Sequence, residues 1–189
     1  GIVRDEPVPI NSLNYGLHYA SPCVWEGIRA YTQRDGTTHI FKLTQHISRL
    51  FDSAKIIGIE IPKTKDELIQ ACKEVVSACG GGELYLRPVV YSTLLAEKAK
   101  PQTQELAVDI YCFPIKSLHH DKKGVKVAIS TFHRGYPQFQ MQAKTAANYA
   151  VLQNAKHELI QAGVDDILLT DNDGYITEAT VANIWVFKN

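Results

Sequence analysis

A chain of 189 residues with 45% hydrophobic side chains is long enough to bury one large core or two small ones. Its 20 basic and 20 acidic residues cancel, so there is no basic field to hold a nucleic-acid backbone. No apolar run approaches the roughly 20 residues needed to span a bilayer, and the opening GIVRDEPVPI lacks the basic and apolar regions of a signal peptide; a soluble, cytoplasmic protein is expected.

In chain order, residues 24–31 (VWEGIRAY) and 37–43 (TTHIFKL) flank Asp35-Gly36 and predict a β-hairpin. The stretch TQHISRLFDSAKIIGI follows, where Thr44 is placed to cap a helix and Ile47, Leu50, Phe51, Ala54 and Ile57 recur at helical spacing before Gly58. Thr64 and Glu67 form a capping box for a second helix carrying Leu68, Ala71, Cys72, Val75 and Cys79, stopped by Gly80-Gly81-Gly82. Strands are predicted at 83–91 (ELYLRPVVY) and 106–113 (LAVDIYCF). The aperiodic, charged IKSLHHDKKG reads as a linker. Beyond it come a strand at 125–131, a helix from about Thr145 to Ala162, and strands at 166–170 and 174–187 joined through the turn Asp171-Asn172-Asp173-Gly174. The strand-like ANIWVFK stands at the end of the chain, where a hairpin partner would come next, so the sequence reads as a piece of a longer protein. The cysteines at 23, 72, 79 and 112 form no C-x-x-C pair and have no histidine at zinc-finger spacing, so reduced thiols and no metal are expected.

Three residues stand out chemically. Lys144, in MQAKTAANY, sits among small residues with few other charges; desolvation turns such an amine into a nucleophile, and small neighbours leave room for a planar ring. The bland alternative is a solvated lysine at a helix N-terminus, where the helix dipole disfavours it. Tyr149, five residues on, is expected near the end of the first helical turn, with its hydroxyl reaching back to a group held at Lys144; otherwise it is a core tyrosine. Glu178, in DGYITEATVANIWVF, is a carboxylate in an apolar strand-rich run, which needs a cation or proton donor unless it lies on an exposed edge.

The strings YASPCVWEGIRAY, HISRLFDSAKI, YLRPVVY, AKTAANY and DGYITEATVANIWVF occur in this order across residues 14–189. Together they closely resemble the fold-type IV pyridoxal-phosphate enzymes, or class IV aminotransferases, and among these the branched-chain amino-acid aminotransferases. The resemblance implies an α+β, two-domain fold: a small N-terminal α/β domain over 1–114, a linker over 115–124, and over 125–189 the first part of a larger, β-barrel-like cofactor-binding domain.

By the same resemblance the cofactor is pyridoxal 5'-phosphate. Lys144 is the lysine that carries it covalently and moves a proton during catalysis. Tyr149 hydrogen-bonds its phenolic oxygen, Glu178 pairs with its pyridinium nitrogen, and Arg49 grips its phosphate, a task that suits a bidentate guanidinium. Tyr85 and Arg87 of YLRP are the substrate-facing pair, Trp25 is an aromatic wall of the substrate pocket, and Gly27 stands where a side chain would intrude; Arg29 is read as structural. Two departures accompany this. HYASPCVWEG is one residue longer than the family's His-Tyr-Gly pattern before a VFEG-like motif, so Tyr19 or Ala20 takes the tyrosine position. The family's aromatics after Phe-Pro are replaced by Ile115-Lys116-Ser117-Leu118.

The implied reaction is transamination between branched-chain L-amino acids and 2-oxoglutarate in a homodimer, with amino and 2-oxo acids as partners and neither nucleic acid nor membrane. D-amino-acid aminotransferase and aminodeoxychorismate lyase are the alternatives within the fold. A non-catalytic fragment that binds no cofactor is the alternative outside it.

Overall fold

The computed structural model describes residues 23–93, 105–115, 123–135, 142–180 and 182–188, and these divide into two units. The first takes the described residues up to 115 together with 142–147; the second takes 123–135 and the described residues from 148 onward. Tyr19, Ala20 and most of the expected linker lie outside the described residues.

The first unit contains strands β1 (Cys23–Trp25), β2 (Ile28–Thr32) and β3 (Thr38–Ile40), helices α1 (Leu43–Ile56) and α2 (Lys65–Ala78), and strands β4 (Leu84–Ser92) and β5 (Leu106–Pro114). All its strand pairings are antiparallel. β5 runs along one edge of β4; β1 and β2 lie end to end along the other in one unbroken register, with Trp25 opposite Val89 and Ile28 opposite Leu86. That register leaves Glu26 opposite Pro88 and Gly27 opposite Arg87. The Glu26 amide donates to the Pro88 carbonyl at 3.0 Å, but proline has no N–H to return the bond. The single strand expected over VWEGIRAY is therefore divided in two at Glu26-Gly27.

The expected hairpin turn forms at Asp35-Gly36: Gly36 has φ 84°, and the Asp35 carboxylate accepts from the Thr37 amide at 2.9 Å. β3 stops at Ile40, short of the expected Leu43, because Lys42 turns the chain at φ 52° and leads straight into α1. Lys42, and not Thr44, is the N-cap, with no side-chain capping bond. The second helix starts as expected, with Thr64 and Glu67 exchanging both capping-box bonds.

Cross-strand partners share a face, so Val24, Glu26, Ile28 and Ala30 lie on one side of the sheet with Leu84, Leu86, Pro88 and Val90. The helices cover this side, burying Ile47, Leu50, Ala54, Leu68, Cys72 and Val76 against it. Within α2 the buried positions are Leu68, Cys72 and Val76, while Ala71 and Val75 are half-buried; Cys79, the C-cap residue, is exposed. The opposite side of the sheet presents Trp25, Arg29, Tyr85, Arg87, Tyr111 and Phe113.

The second unit is a βαβ crossover with an added strand. β6 (Val127–His133) pairs parallel with β7 (Asp166–Thr170), α3 (Ala150–Ala162) connects them, and β8 (Ile176–Ala179) pairs antiparallel with β7. Leu152 and Ala155 pack on Ile167 and Leu169. α3 ends in a left-handed Gly163, φ 61°. Two expectations change here. The helix starts at Ala150, because 144–146 are taken up in pairing with β1 and 147–149 form only a 3₁₀ turn. The last strand ends at Ala179: no strand among the described residues pairs with 182–188, and Trp185, Val186 and Phe187 are exposed. No helix among the described residues is long and apolar enough to cross a membrane.

Replacing Thr64 by Ala removes the side-chain acceptor of the Glu67 amide and should destabilise the protein by about 1 kcal/mol. Urea unfolding checks this, with a lowered midpoint and an unchanged slope expected.

Candidate functional site

In the first unit the lysine segment is bridged to the free edge of β1. Val24 and Thr145 pair antiparallel. The Trp25 amide donates to the Lys144 carbonyl at 3.1 Å, and the Ala146 amide donates to the Cys23 carbonyl at 3.2 Å. The Lys144 amide donates to Oγ of Ser53, a fully buried residue of α1, at 3.0 Å. This pairing sets Lys144 opposite Trp25 and on the same face of the sheet. The half-buried lysine accordingly has its Nζ 4.2 Å from the centroid of the Trp25 ring, a cation–π separation.

A second cation meets the same indole. Arg87 Cζ lies 4.8 Å from the Trp25 ring centroid and 5.3 Å from that of Tyr85, and its Nη2 donates to the Tyr85 hydroxyl at 3.4 Å. Tyr85 in turn packs on Phe113, with ring centroids 5.3 Å apart. Gly27 makes room for this arrangement: a Cβ added there would collide with the Tyr85 hydroxyl and come within 3.0 Å of its Cζ. Lys144, Trp25, Gly27, Tyr85 and Arg87, each singled out from the sequence, therefore share one face of one sheet. Arg29 shares that face as the cross-strand partner of Tyr85.

Arg49 belongs to the other face. It makes a two-point ion pair with Glu26, Nε to Oε1 at 2.5 Å and Nη2 to Oε2 at 2.7 Å. His46, one turn earlier on α1, reaches Oε2 through Nδ1 at 2.9 Å. Glu26 has no exposed surface, whereas the Arg49 side chain is half exposed. Burial pushes the Glu26 carboxyl up, but the hydrogen bonds and charges of Arg49 and His46 more than offset this and hold it below its ordinary value. Sequence reading passed over Glu26 and His46. The signal for Glu26 lay in the period of two: it falls between Val24 and Ile28, on the side a half-buried strand turns inward; His46 stands one helical turn before Arg49.

The second unit holds Tyr149 and Glu178. Tyr149 is the N-cap residue of α3, ahead of the helix and not inside its first turn. Glu178 sits opposite Leu169 on β8 and forms an ion pair with Arg134. The Arg134 guanidinium also lies 5.1 Å from the Tyr149 ring centroid, and its amide donates to the Thr170 carbonyl at 2.7 Å. One arginine thus touches both residues that the sequence had assigned to a ring nitrogen and a phenolic oxygen. Arg134 was missed because it lies in an irregular stretch whose local pattern says nothing about its partners.

Two outcomes follow. Gly27→Ala should destabilise the protein by about 1–3 kcal/mol through overpacking, and Tyr85→Phe added to it should recover part of that loss in thermal melts by removing the colliding oxygen. Because the folded-state value of Glu26 is lowered, its contribution to stability is complete above the ordinary value of 4.5 and is lost as pH falls through the lowered one. Acid unfolding curves should show this limb, and Glu26→Gln should remove it.

Comparison with known proteins places these residues in a family. The family model described as amino-transferase class IV matches residues 24–189. A probable branched-chain-amino-acid aminotransferase of Rickettsia conorii is 32% identical over 182 residues, which are 95% of this chain and 60% of the relative. The crystal structure of the branched-chain aminotransferase from Thermoproteus uzoniensis with norvaline superposes with a TM-score of 0.86 at 30% identity, covering 94% of this chain and 60% of that one. The branched-chain amino acid aminotransferase from Thermobaculum terrenum, in its PLP-form, superposes with a TM-score of 0.73 at 27% identity, covering 84% and 52%. The chain thus spans about 60% of the length of the curated relatives it matches. The match runs through the strand pair carrying Trp25 and Arg87, the lysine segment on its edge and the βαβ unit with Glu178, and on that ground the chain belongs to the class IV aminotransferases.

Proposed function

We propose that this chain carries the lysine-bearing part of a pyridoxal 5'-phosphate-dependent aminotransferase that exchanges amino groups between branched-chain L-amino acids and 2-oxoglutarate. The observation that carries the reading is the grip on Lys144, whose backbone is tied to β1 and Ser53 while its amine lies over the Trp25 ring. A surface lysine gains nothing from such fixation, whereas an amine that must meet one carbon atom from one direction needs it.

The side chains present suit that cofactor. Lys144 offers the amine for covalent attachment, Arg49 a guanidinium for the phosphate, Tyr149 a hydroxyl for the phenolic oxygen, and Glu178 a carboxylate for the ring nitrogen. When bound, the cofactor supplies the electron sink that lets a Cα–H bond break. Everything else falls to the protein. Nζ of Lys144 would take the proton from the substrate Cα and, as the ammonium, would hold it for return to the cofactor. Arg134, paired with Glu178 and lying against the Tyr149 ring, holds both of these side chains in place. Arg87 and Tyr85 face the substrate carboxylates, with the Trp25 ring and Phe113 as apolar surface beside them. One arginine next to aromatic walls suits alternation between an aliphatic side chain and the second carboxylate of 2-oxoglutarate. A cytoplasmic homodimer completes the reading, in keeping with the family resemblance of the sequence.

The test uses the full-length protein incubated with pyridoxal 5'-phosphate and borohydride. A stable adduct is expected on Lys144 in peptide mass spectra, absent in Lys144→Ala, whose transamination should fall below detection. Leucine, isoleucine and valine in the L-form should give glutamate from 2-oxoglutarate. An adduct on another lysine, a preference for D-donors, or pyruvate release from aminodeoxychorismate would overturn the proposal.

A further inference from the structure

We infer that Glu26 is a positioning residue: from the core face of the sheet it holds Arg49 by its Nε–Nη2 edge in the orientation that grips the cofactor phosphate, and His46 holds Glu26 in turn. The inference rests on the function proposed above and deepens it.

Glu26 is costly where it stands. It occupies a core-face position between Val24 and Ile28, both fully buried, and is itself without exposed surface. Burying a carboxylate in such a place costs several kcal/mol unless it is paired, and a buried ion pair is commonly no more stabilising than well-packed apolar residues of similar volume. Stability alone would be met by a third β-branched residue in that row. What the carboxylate adds is direction. A two-point contact through Nε and Nη2 fixes the plane of a guanidinium as well as its place.

The acceptor is itself fixed at three points: the Glu26 amide donates to the Pro88 carbonyl, and Oε2 meets the His46 ring and accepts from the Gly27 amide at 3.3 Å. His46 and Arg49 stand three residues apart on one face of α1. The Arg49 side chain as a whole is 52% exposed, so the tether leaves it at the rim of the core. It orients the side chain without enclosing it. A long, rotamer-rich side chain pre-set in this way loses less entropy on meeting a phosphate dianion.

The experiment compares pyridoxal 5'-phosphate with pyridoxal, which lacks the phosphate, on the full-length protein. Dissociation constants come from absorbance titration, and adducts are verified by borohydride trapping. Glu26→Gln should weaken binding of the phosphorylated form by about tenfold or more, the usual scale for losing a supporting contact, and leave pyridoxal unchanged. The ratio of the two constants should therefore fall toward that of Arg49→Lys, and the double variant should add little to either single one. A purely structural Glu26 would lower the melting temperature and leave the ratio intact, which would overturn the inference. If Glu26→Gln does not fold, Glu26→Asp keeps the charge but withdraws it by one methylene, and the same drop in ratio is expected; failure of both variants to fold marks the residue as structural and overturns the inference too. A wild-type protein that forms no adduct at Lys144 overturns the proposed function and this inference with it, whereas a normal wild-type adduct with an unchanged ratio in the variants overturns the inference alone.

Discussion

The backbone pairing between β1 and residues 144–146 is the constraint on which the first unit's chemistry depends. Two amide–carbonyl bonds, Trp25 to Lys144 and Ala146 to Cys23, set a one-residue register, and in a β-ladder a slip of one residue would turn Lys144 to the opposite face. The third tie, from the Lys144 amide to buried Ser53, links that register to α1. The lysine is thereby positioned by groups that belong to the core, and its long side chain is left only the last few torsions to settle.

The same sheet separates two kinds of task by its pleat. From β1 through β2 the odd-numbered positions carry Trp25, Gly27 and Arg29 on the face shared with Tyr85 and Arg87; the even-numbered ones carry Val24, Glu26, Ile28 and Ala30 into the core under α1 and α2. Pro88 marks the point where the ladder loosens, because it accepts from Glu26 but has nothing to donate in return. At that point the core face admits a charge and the other face admits a glycine. The strand interruption follows from that proline; the buried carboxylate and the Tyr85 hydroxyl above Gly27 stand beside it on the two faces.

The second unit answers a different problem with similar means. Glu178 lies on the added strand β8 and Tyr149 at the N-cap of α3, and Arg134, just past the end of β6, contacts both. An arginine is suited to this, since its planar guanidinium offers edges to a carboxylate and a face to an aromatic ring. Its backbone is tied to the Thr170 carbonyl at the end of β7, so the crossover strands, and not the loop alone, set where it stands.

Local chemistry was legible wherever it is local in origin. The Asp35-Gly36 turn, the Thr64/Glu67 capping box, the alternation through VWEGIRAY and ELYLRPVVY and the helical spacing in HISRLFDSAKI each depend on neighbours within a few residues, and these elements stand close to where the residues alone put them. The ordered motifs likewise pointed to the family to which the chain belongs. The boundaries that moved are those where distant backbone intervened: α3 begins at Ala150 because the preceding residues pair with β1, and the last strand stops at Ala179, beyond which no described strand pairs with the chain. The sequence by itself determined the elements, their amphipathic faces and the family. Only the tertiary structure decided that Glu26 answers Arg49 at 23 positions' distance, that Ser53 holds Lys144 at 91, and that Arg134 stands between Tyr149 and Glu178 in contact with each. Periodicity tells which way a side chain points, but which buried charge meets which cation is settled only when strand edges and helix faces have been brought together.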